Sequence, residues 1–292
     1  MSKARLCLGT VQLGMKYGVN NAIGRQPTEE ESFALLKAAL NANINTFDTA
    51  SVYGNAEDVL GLFHQKMPSN VRFISKLKPD CADNSIAVLE EIQSSLQRLQ
   101  VKQLAGYLLH RAIDIKREGI MDGLAEAKTR HLTEKIGVSI YEPEEAMLAV
   151  EDSRIDCIQI PYNVLDKRLD KAGFFELAKS NHKEIYARSA LLQGLLLMEP
   201  QKAEQRVNGS GKFIAEFQQI AKGFSFTPVE AAFLYCVNHP GIDYVVFGVD
   251  TVEQLAANIN IYNKLDGFEI CFNELNKHFE QVPKKIIMPN LW

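Results

Sequence analysis

Eight short apolar runs alternate with helical stretches from one end of the chain to the other, and this alternation constrains the fold more than any other feature. The runs are Leu6–Gly9, Ile44–Asp48, Arg72–Ser75, Ala105–Leu109, Ile136–Val138, Cys157–Ile160, Ile185–Ala187 and Tyr244–Phe247. Continuous rather than alternating hydrophobicity marks parallel strands covered by helices. Thr28 and Glu31 have the spacing of a capping box, and Phe33, Leu36, Ala39 and Leu40 continue at a helical period to about Asn43. Further helices are expected at Ala56–Gln65, Ser85–Leu99, Gly119–Thr129, Pro143–Val150, Lys171–Ser180 and Val252–Leu265. Eight βα units in order predict an α/β fold of the (β/α)8 TIM barrel type, one domain over residues 1–292. A doubly wound sheet competes, but usually with fewer strands.

One connection is long. Between the seventh and eighth strands, about 189–243, it holds Asn208-Gly209-Ser210-Gly211 and two helical segments, Lys212–Ala221 and Pro228–Asn238. Insertions of that length are often lids. The tail, about 266–292, carries another short helix and ends in Trp292.

Composition narrows the function. Lys+Arg 32 against Asp+Glu 36 leaves a formal charge of −4 with no basic stripe, which argues against nucleic-acid binding. The apolar stretches Leu191–Met198 and Tyr244–Val249 are far shorter than the ~18 residues of a membrane span. The N-terminus has no signal-peptide pattern. Five scattered cysteines (Cys7, Cys81, Cys157, Cys236, Cys271) lack metal or disulfide spacing, so a reduced, cytoplasmic setting and no metal are expected. Cys157, mid-strand, reads as an inert core thiol. The remaining histidines, His64, His131, His182, His239 and His278, have no ligand spacing and read mostly as surface positions.

A barrel's active site lies at the C-terminal ends of its strands. The second strand ends in Asp48, with Tyr53 a few residues beyond; the third ends in Lys76 and the fourth in His110. Any one of these alone is more often a loop ion pair or cap. Four compatible groups at three successive strand ends form a chemistry: an ammonium beside a phenol lowers its pKa, an acid holds the ammonium, and a neutral imidazole orients a carbonyl. Such a site protonates a carbonyl while hydride arrives from elsewhere. No side chain supplies hydride, so a nicotinamide cofactor is required.

These residues, with Leu8-Gly9-Thr10, Ile136-Gly137-Val138-Ser139, Ile158-Gln159, Tyr162-Asn163, Arg188-Ser189-Ala190-Leu191, Gly194, Gly248, Gln254-Leu255 and Asn258 in order, give a chain that resembles the aldo-keto reductases from Gly9 to about Tyr262. The resemblance implies a (β/α)8 barrel binding NADP(H) without a Rossmann motif, and a catalytic set of Asp48, Tyr53, Lys76 and His110 with Tyr53 as proton donor. It further implies cofactor contacts from Thr10 and Asp48, from Ser139 and Gln159 to the carboxamide, and from Arg188 at the nicotinamide. Ser189, Leu191 and Gln193 would lie along the pyrophosphate, and Gly248, Gln254 and Asn258 toward the adenosine end. Lys212 is a candidate for a phosphate contact from a closing loop, or a solvated surface residue.

Three positions depart from the family pattern. Ile140 stands where Asn is common, Arg188 where an aromatic stacks on the nicotinamide, and Gly248 and Gln254 where many NADPH-preferring members have Lys and Arg. A guanidinium can also stack on a ring, tune the cofactor or hold an anionic substrate group. NADP(H) remains favoured over NAD(H). Gln12, Met15, Tyr17, Val52, Arg111, Tyr162, Asn163 and Trp292 are candidate mouth residues whose polar mix suits a sugar-like carbonyl. The expected function is reduction of an aldehyde or ketone, with a small-molecule carbonyl compound as partner and the oligomeric state open. The alternatives are a Schiff-base aldolase using Lys76 and a non-enzymatic cofactor sensor or binding subunit.

Overall fold

In the computed structural model, which describes residues 3–18, 21, 23–264 and 267–292, eight strands pair in parallel and in chain order into a closed barrel. They are β1 (Arg5–Gly9), β2 (Thr46–Asp48), β3 (Arg72–Leu77), β4 (Gly106–Leu109), β5 (Ile136–Ser139), β6 (Cys157–Pro161), β7 (Glu184–Arg188) and β8 (Tyr244–Phe247). Pairing of β1 with β8 closes the ring. This is the (β/α)8 architecture, reached because every strand is too apolar to leave either face in water.

Side chains alternate in and out of the barrel with a period of two. Cys7, Ile74, Leu108, Cys157, Tyr186 and Val246 pack together inside it, with Tyr186 and Tyr244 stacked at 4.6 Å. Two residues further along the same strands come Gly9, Lys76, His110, Gln159, Arg188 and Gly248. The same parity that fills the floor with apolar groups therefore aims the strand-end residues at the barrel axis. Gly137 makes room in this packing, since a Cβ there would lie 2.5 Å from the Cys157 sulfur. Burial pushes the Cys157 thiol up, away from reactivity.

The helices keep the expected pattern with local corrections. The Thr28–Glu31 capping box is present on helix Glu29–Asn41. The helix expected over 171–180 is two helices, Arg168–Lys171 and Phe174–Ser180, separated by Gly173 at φ 66°. The helix expected to reach Leu265 is Val252–Asn263, ending at a C-cap on Lys264, and Leu265 itself lies outside the described residues. The connection 189–243 is more ordered than expected, adding the turns Leu192–Leu197 and helix Pro200–Arg206 to helices Gly211–Gly223 and Pro228–Val237. The tail has two helices, Phe268–Leu275 and Lys284–Ile287, rather than one. No helix among the described residues is long and apolar enough to cross a membrane.

Candidate active site

A cavity of about 370 Å³ opens at the C-terminal end of the barrel, within the range of small-molecule sites. Thr10, Asp48, Tyr53, Lys76, His110, Ser139, Gln159, Arg188, Ser189, Leu191, Gln193, Gly248, Gln254 and Asn258 all line it.

At its base lies a buried ion pair. The Lys76 ammonium donates to both Asp48 carboxylate oxygens and to the Thr49 carbonyl, each at 2.8 Å, with Lys76 1% and Asp48 4% exposed. All three of its protons are thus engaged. Burial alone would depress the ammonium, but the charge and hydrogen bonds of Asp48 outweigh it and hold Lys76 above its ordinary range. Asp48 also accepts from Gln159 Nε2 at 2.7 Å. No described residue donates to the remaining Gln159 oxygen. The Thr10 hydroxyl donates to the Asp48 carbonyl at 2.9 Å, so Thr10 clamps the end of β2 as well as lining the cavity.

Tyr53 rests above this pair, with the Lys76 nitrogen 5.2 Å from its ring centroid. His110 meets the Tyr53 ring edge-on at 6.3 Å. The expected acidification of Tyr53 is corrected by the geometry. Burial raises the phenol, Lys76 pulls it down, Asp48 pushes it up, and the outcome lies above the ordinary tyrosine value. Asp48 works against acidification because it neutralises the ammonium that would provide it. Burial, with Lys76 in support, lowers His110 to about 4, so the imidazole is neutral at physiological pH.

Tyr53 owes its position to glycine. Its turn begins with the Tyr53 amide donating to the Ala50 carbonyl at 3.0 Å. Gly14, from the segment after β1, lies so close that a Cβ would come within 1.8 Å of the Tyr53 carbonyl oxygen. Only a residue without a side chain lets these two loops pack.

Arg188 lies against the Tyr141 ring at 4.3 Å and donates to the Ile140 carbonyl at 3.0 Å and the Ser189 hydroxyl at 3.4 Å. Among the described residues it has no carboxylate partner. Tyr141, Asn21 and Asp250 line the cavity in addition to the expected residues. The place of Tyr141, two residues after Ser139, is a signal that sequence reasoning could have used. Several expected mouth residues lie elsewhere. Tyr162 and Asn163 are fully buried, with Tyr162 stacked on Tyr235 at 5.8 Å. Arg111 pairs with Asp114, and Trp292 donates to the Lys285 carbonyl. Met15 and Val52 do not line the cavity, whereas Gln12 and Tyr17 do. Lys212 packs over Phe213, away from the cavity lining. His239 is not a surface position; it is buried beside Phe175 and bonded to Asp170 at 3.0 Å.

The cavity's polar groups fit a nicotinamide dinucleotide. Gln12 Oε1 and His110 Nδ1 are buried there with no hydrogen-bond partner among the described residues. The absent Cβ of Gly248 leaves space that the Gln12 amide enters, 2.2 Å from where that carbon would sit.

Comparison with known proteins places the chain. The model of the aldo/keto reductase family matches residues 5–270. An uncharacterized oxidoreductase of Bacillus subtilis, YqkF, is 23% identical over 297 residues, 94% of this chain and 96% of its own. L-glyceraldehyde 3-phosphate reductase of Escherichia coli is 23% identical over 305 residues, 90% of this chain and 86% of its own. The fold is shared with aldo-keto reductase AKR11C1 from Bacillus halodurans, at a TM-score of 0.74 and 19% identity over 95% and 96% of the two chains. With the family match spanning most of its length, the chain belongs to the aldo/keto reductase family of NAD(P)H-dependent oxidoreductases.

Proposed function

We propose that the protein reduces an oxygenated aldehyde or ketone to the alcohol, with Tyr53 delivering the proton. The observation that carries this is the convergence of Tyr53 and His110 over the buried Lys76–Asp48 pair in one cavity. The reduced nicotinamide, when bound, supplies hydride to the carbonyl carbon. His110, neutral at its depressed pKa, orients the carbonyl oxygen without competing as an acid. Tyr53 stays protonated through the neutral range and gives up its proton only as negative charge develops on that oxygen, since an alkoxide is a stronger base than a phenolate. The Lys76 charge stabilises the phenolate left behind. General acid catalysis of this kind contributes about 10²–10⁴-fold.

Ser139 and the open oxygen of Gln159 are suited to the carboxamide. Ser189, Leu191 and Gln193 would follow the pyrophosphate, and Gly248, Gln254 and Asn258 the adenosine. The wall formed by Arg188, Tyr141, Tyr17 and Gln193 suits a hydroxylated or anionic carbonyl compound, such as a sugar-like aldehyde, better than a greasy one. A Schiff-base route through Lys76 is disfavoured, because imine formation needs a neutral amine and this one is held charged with every proton bonded.

The test is consumption of reduced cofactor with sugar, aliphatic and aromatic carbonyls. Turnover with oxygenated aldehydes is expected. Tight cofactor binding without turnover across the whole panel would support the sensor reading, and borohydride trapping of substrate on Lys76 the aldolase one. The choice between NADP(H), which the family resemblance favours, and NAD(H) turns on what surrounds the 2′ position of the adenosine ribose.

A further inference from the structure

A glutamate is rarely buried unless it is paired, and Glu57, 2% exposed, is buried outside the cavity. It lies in the first turn of helix Ala56–Lys66, four residues after Tyr53. Both of its carboxylate oxygens are engaged. Oε1 accepts from the Ser75 hydroxyl at 2.5 Å, and Oε2 accepts from Arg98 Nε, on helix Ser85–Leu99, at 2.7 Å. Gly61 lets the two helices come this close, since a Cβ there would lie 1.9 Å from the Arg98 carbonyl oxygen. Neither Ser75 nor Arg98 lines the cavity.

Ser75 directly precedes Lys76 on β3. Ile74 packs inside the barrel and Lys76 shares its parity, so alternation turns the Ser75 side chain outward to the helices. The Tyr53 turn is therefore held to β3 at two successive residues, once on each side of the tyrosine. Before it, the Ser51 hydroxyl donates to the Lys76 carbonyl at 3.0 Å. After it, the Ala56 amide donates to the Tyr53 carbonyl at 3.0 Å, joining the turn to the helix whose Glu57 holds Ser75. One attachment leaves a turn free to pivot, whereas a second on the far side of Tyr53 fixes where its phenol stands relative to the ammonium.

We propose that Glu57 is a positioning residue: by fastening the start of helix Ala56–Lys66 to Ser75, it sets the Tyr53 hydroxyl over Lys76 and so the geometry of proton delivery. This rests on the reading of Tyr53 as the proton donor. Misplacement by about 1 Å costs on the order of 10²-fold in rate.

The test is a double-mutant cycle in the full chain. Its variants are Ser75→Ala, Glu57→Ala, Tyr53→Phe, and each of the first two combined with Tyr53→Phe. The readouts are single-turnover oxidation of reduced cofactor by the aldehyde that the wild type reduces fastest, and cofactor Kd by calorimetry. Ser75→Ala removes one hydroxyl and leaves Glu57 paired with Arg98, so it reports even if Glu57→Ala does not fold. With Tyr53 present, Ser75→Ala should slow the reaction at least about tenfold while cofactor Kd stays within about twofold. In the Tyr53→Phe background the same change should alter the residual rate less than about twofold, because a residue acting through the phenol has nothing left to act on. Glu57→Ala, where folded, should do the same. A Ser75→Ala rate within about twofold of wild type overturns the proposal. So does an equal loss in both backgrounds, or a loss carried by cofactor affinity, since either marks general loosening. In each of these cases the role of Tyr53 still stands. A near wild-type rate in Tyr53→Phe alone overturns that role and the proposal with it.

Discussion

Replacing Lys76 by methionine tests how the site is built into the fold. The ammonium is almost wholly buried, as is Asp48, and the pair is joined by two contacts of 2.8 Å. Methionine keeps most of the volume and removes the charge. Asp48 then retains its bond from Gln159 but becomes an unpaired buried carboxylate, and the Thr49 carbonyl loses its donor. Breaking a buried pair from one side costs about 3–5 kcal/mol. For a chain of this size that corresponds to a fall in melting temperature on the order of 10 °C. Changing both residues, Lys76→Met with Asp48→Asn, removes the uncompensated charge and is expected to recover more than half of the loss, although neither variant is an efficient catalyst. Urea denaturation of the two single variants and the double variant forms the cycle. A Lys76→Met midpoint within about 1 kcal/mol of wild type, or a double variant no better than the single, would refute the claim that the pair is a desolvated ionic unit.

Three further outcomes are expected. Gly14→Ala forces a methyl group against the Tyr53 carbonyl, and should cost about 1–3 kcal/mol or more together with a loss of kcat, measured by thermal melting and turnover; a silent substitution would mean that the loops repack freely. Because His110 titrates near 4 when folded and near 6.5 when unfolded, its contribution to stability is intact above pH 6.5 and lost as pH falls toward 4. His110→Gln should therefore flatten the acid limb of the stability–pH curve by on the order of 3 kcal/mol, read from urea midpoints across that window. Arg188→Ala leaves Tyr141 without its cation and should raise KM for oxygenated or anionic carbonyls about tenfold while aliphatic aldehydes change little; equal effects on both would make Arg188 a packing residue.

The barrel is legible in the chain because its strands are buried on both faces, and the apolar runs match β1–β8 to within two residues at either end. Asp48, Lys76, His110, Ser139 and Gln159 are legible for the same reason: a strand end of known parity says where its next side chain points. The loops beyond the strand ends are less readable. Tyr162 and Asn163 come just after β6, where the chain leaves the barrel and the alternation stops, and they turn into the outer core. Asp250 and Asn21 meet across 229 residues of sequence, a contact that no local pattern encodes. Gly173 is visible in the sequence, yet a single glycine inside a helical period does not announce whether it will be tolerated or take a positive φ. The direction of the Tyr53 shift depends on Asp48 gripping Lys76 with both oxygens, which is a matter of geometry rather than composition.

The proton delivered by the Tyr53 hydroxyl is the centre of the account, and Tyr53→Phe measures it most directly. The variant should bind reduced cofactor within about twofold of wild type while carbonyl reduction falls by at least about 10²-fold, the lower bound for a lost general acid. Reduction at near wild-type rate by the folded, cofactor-binding variant would contradict it.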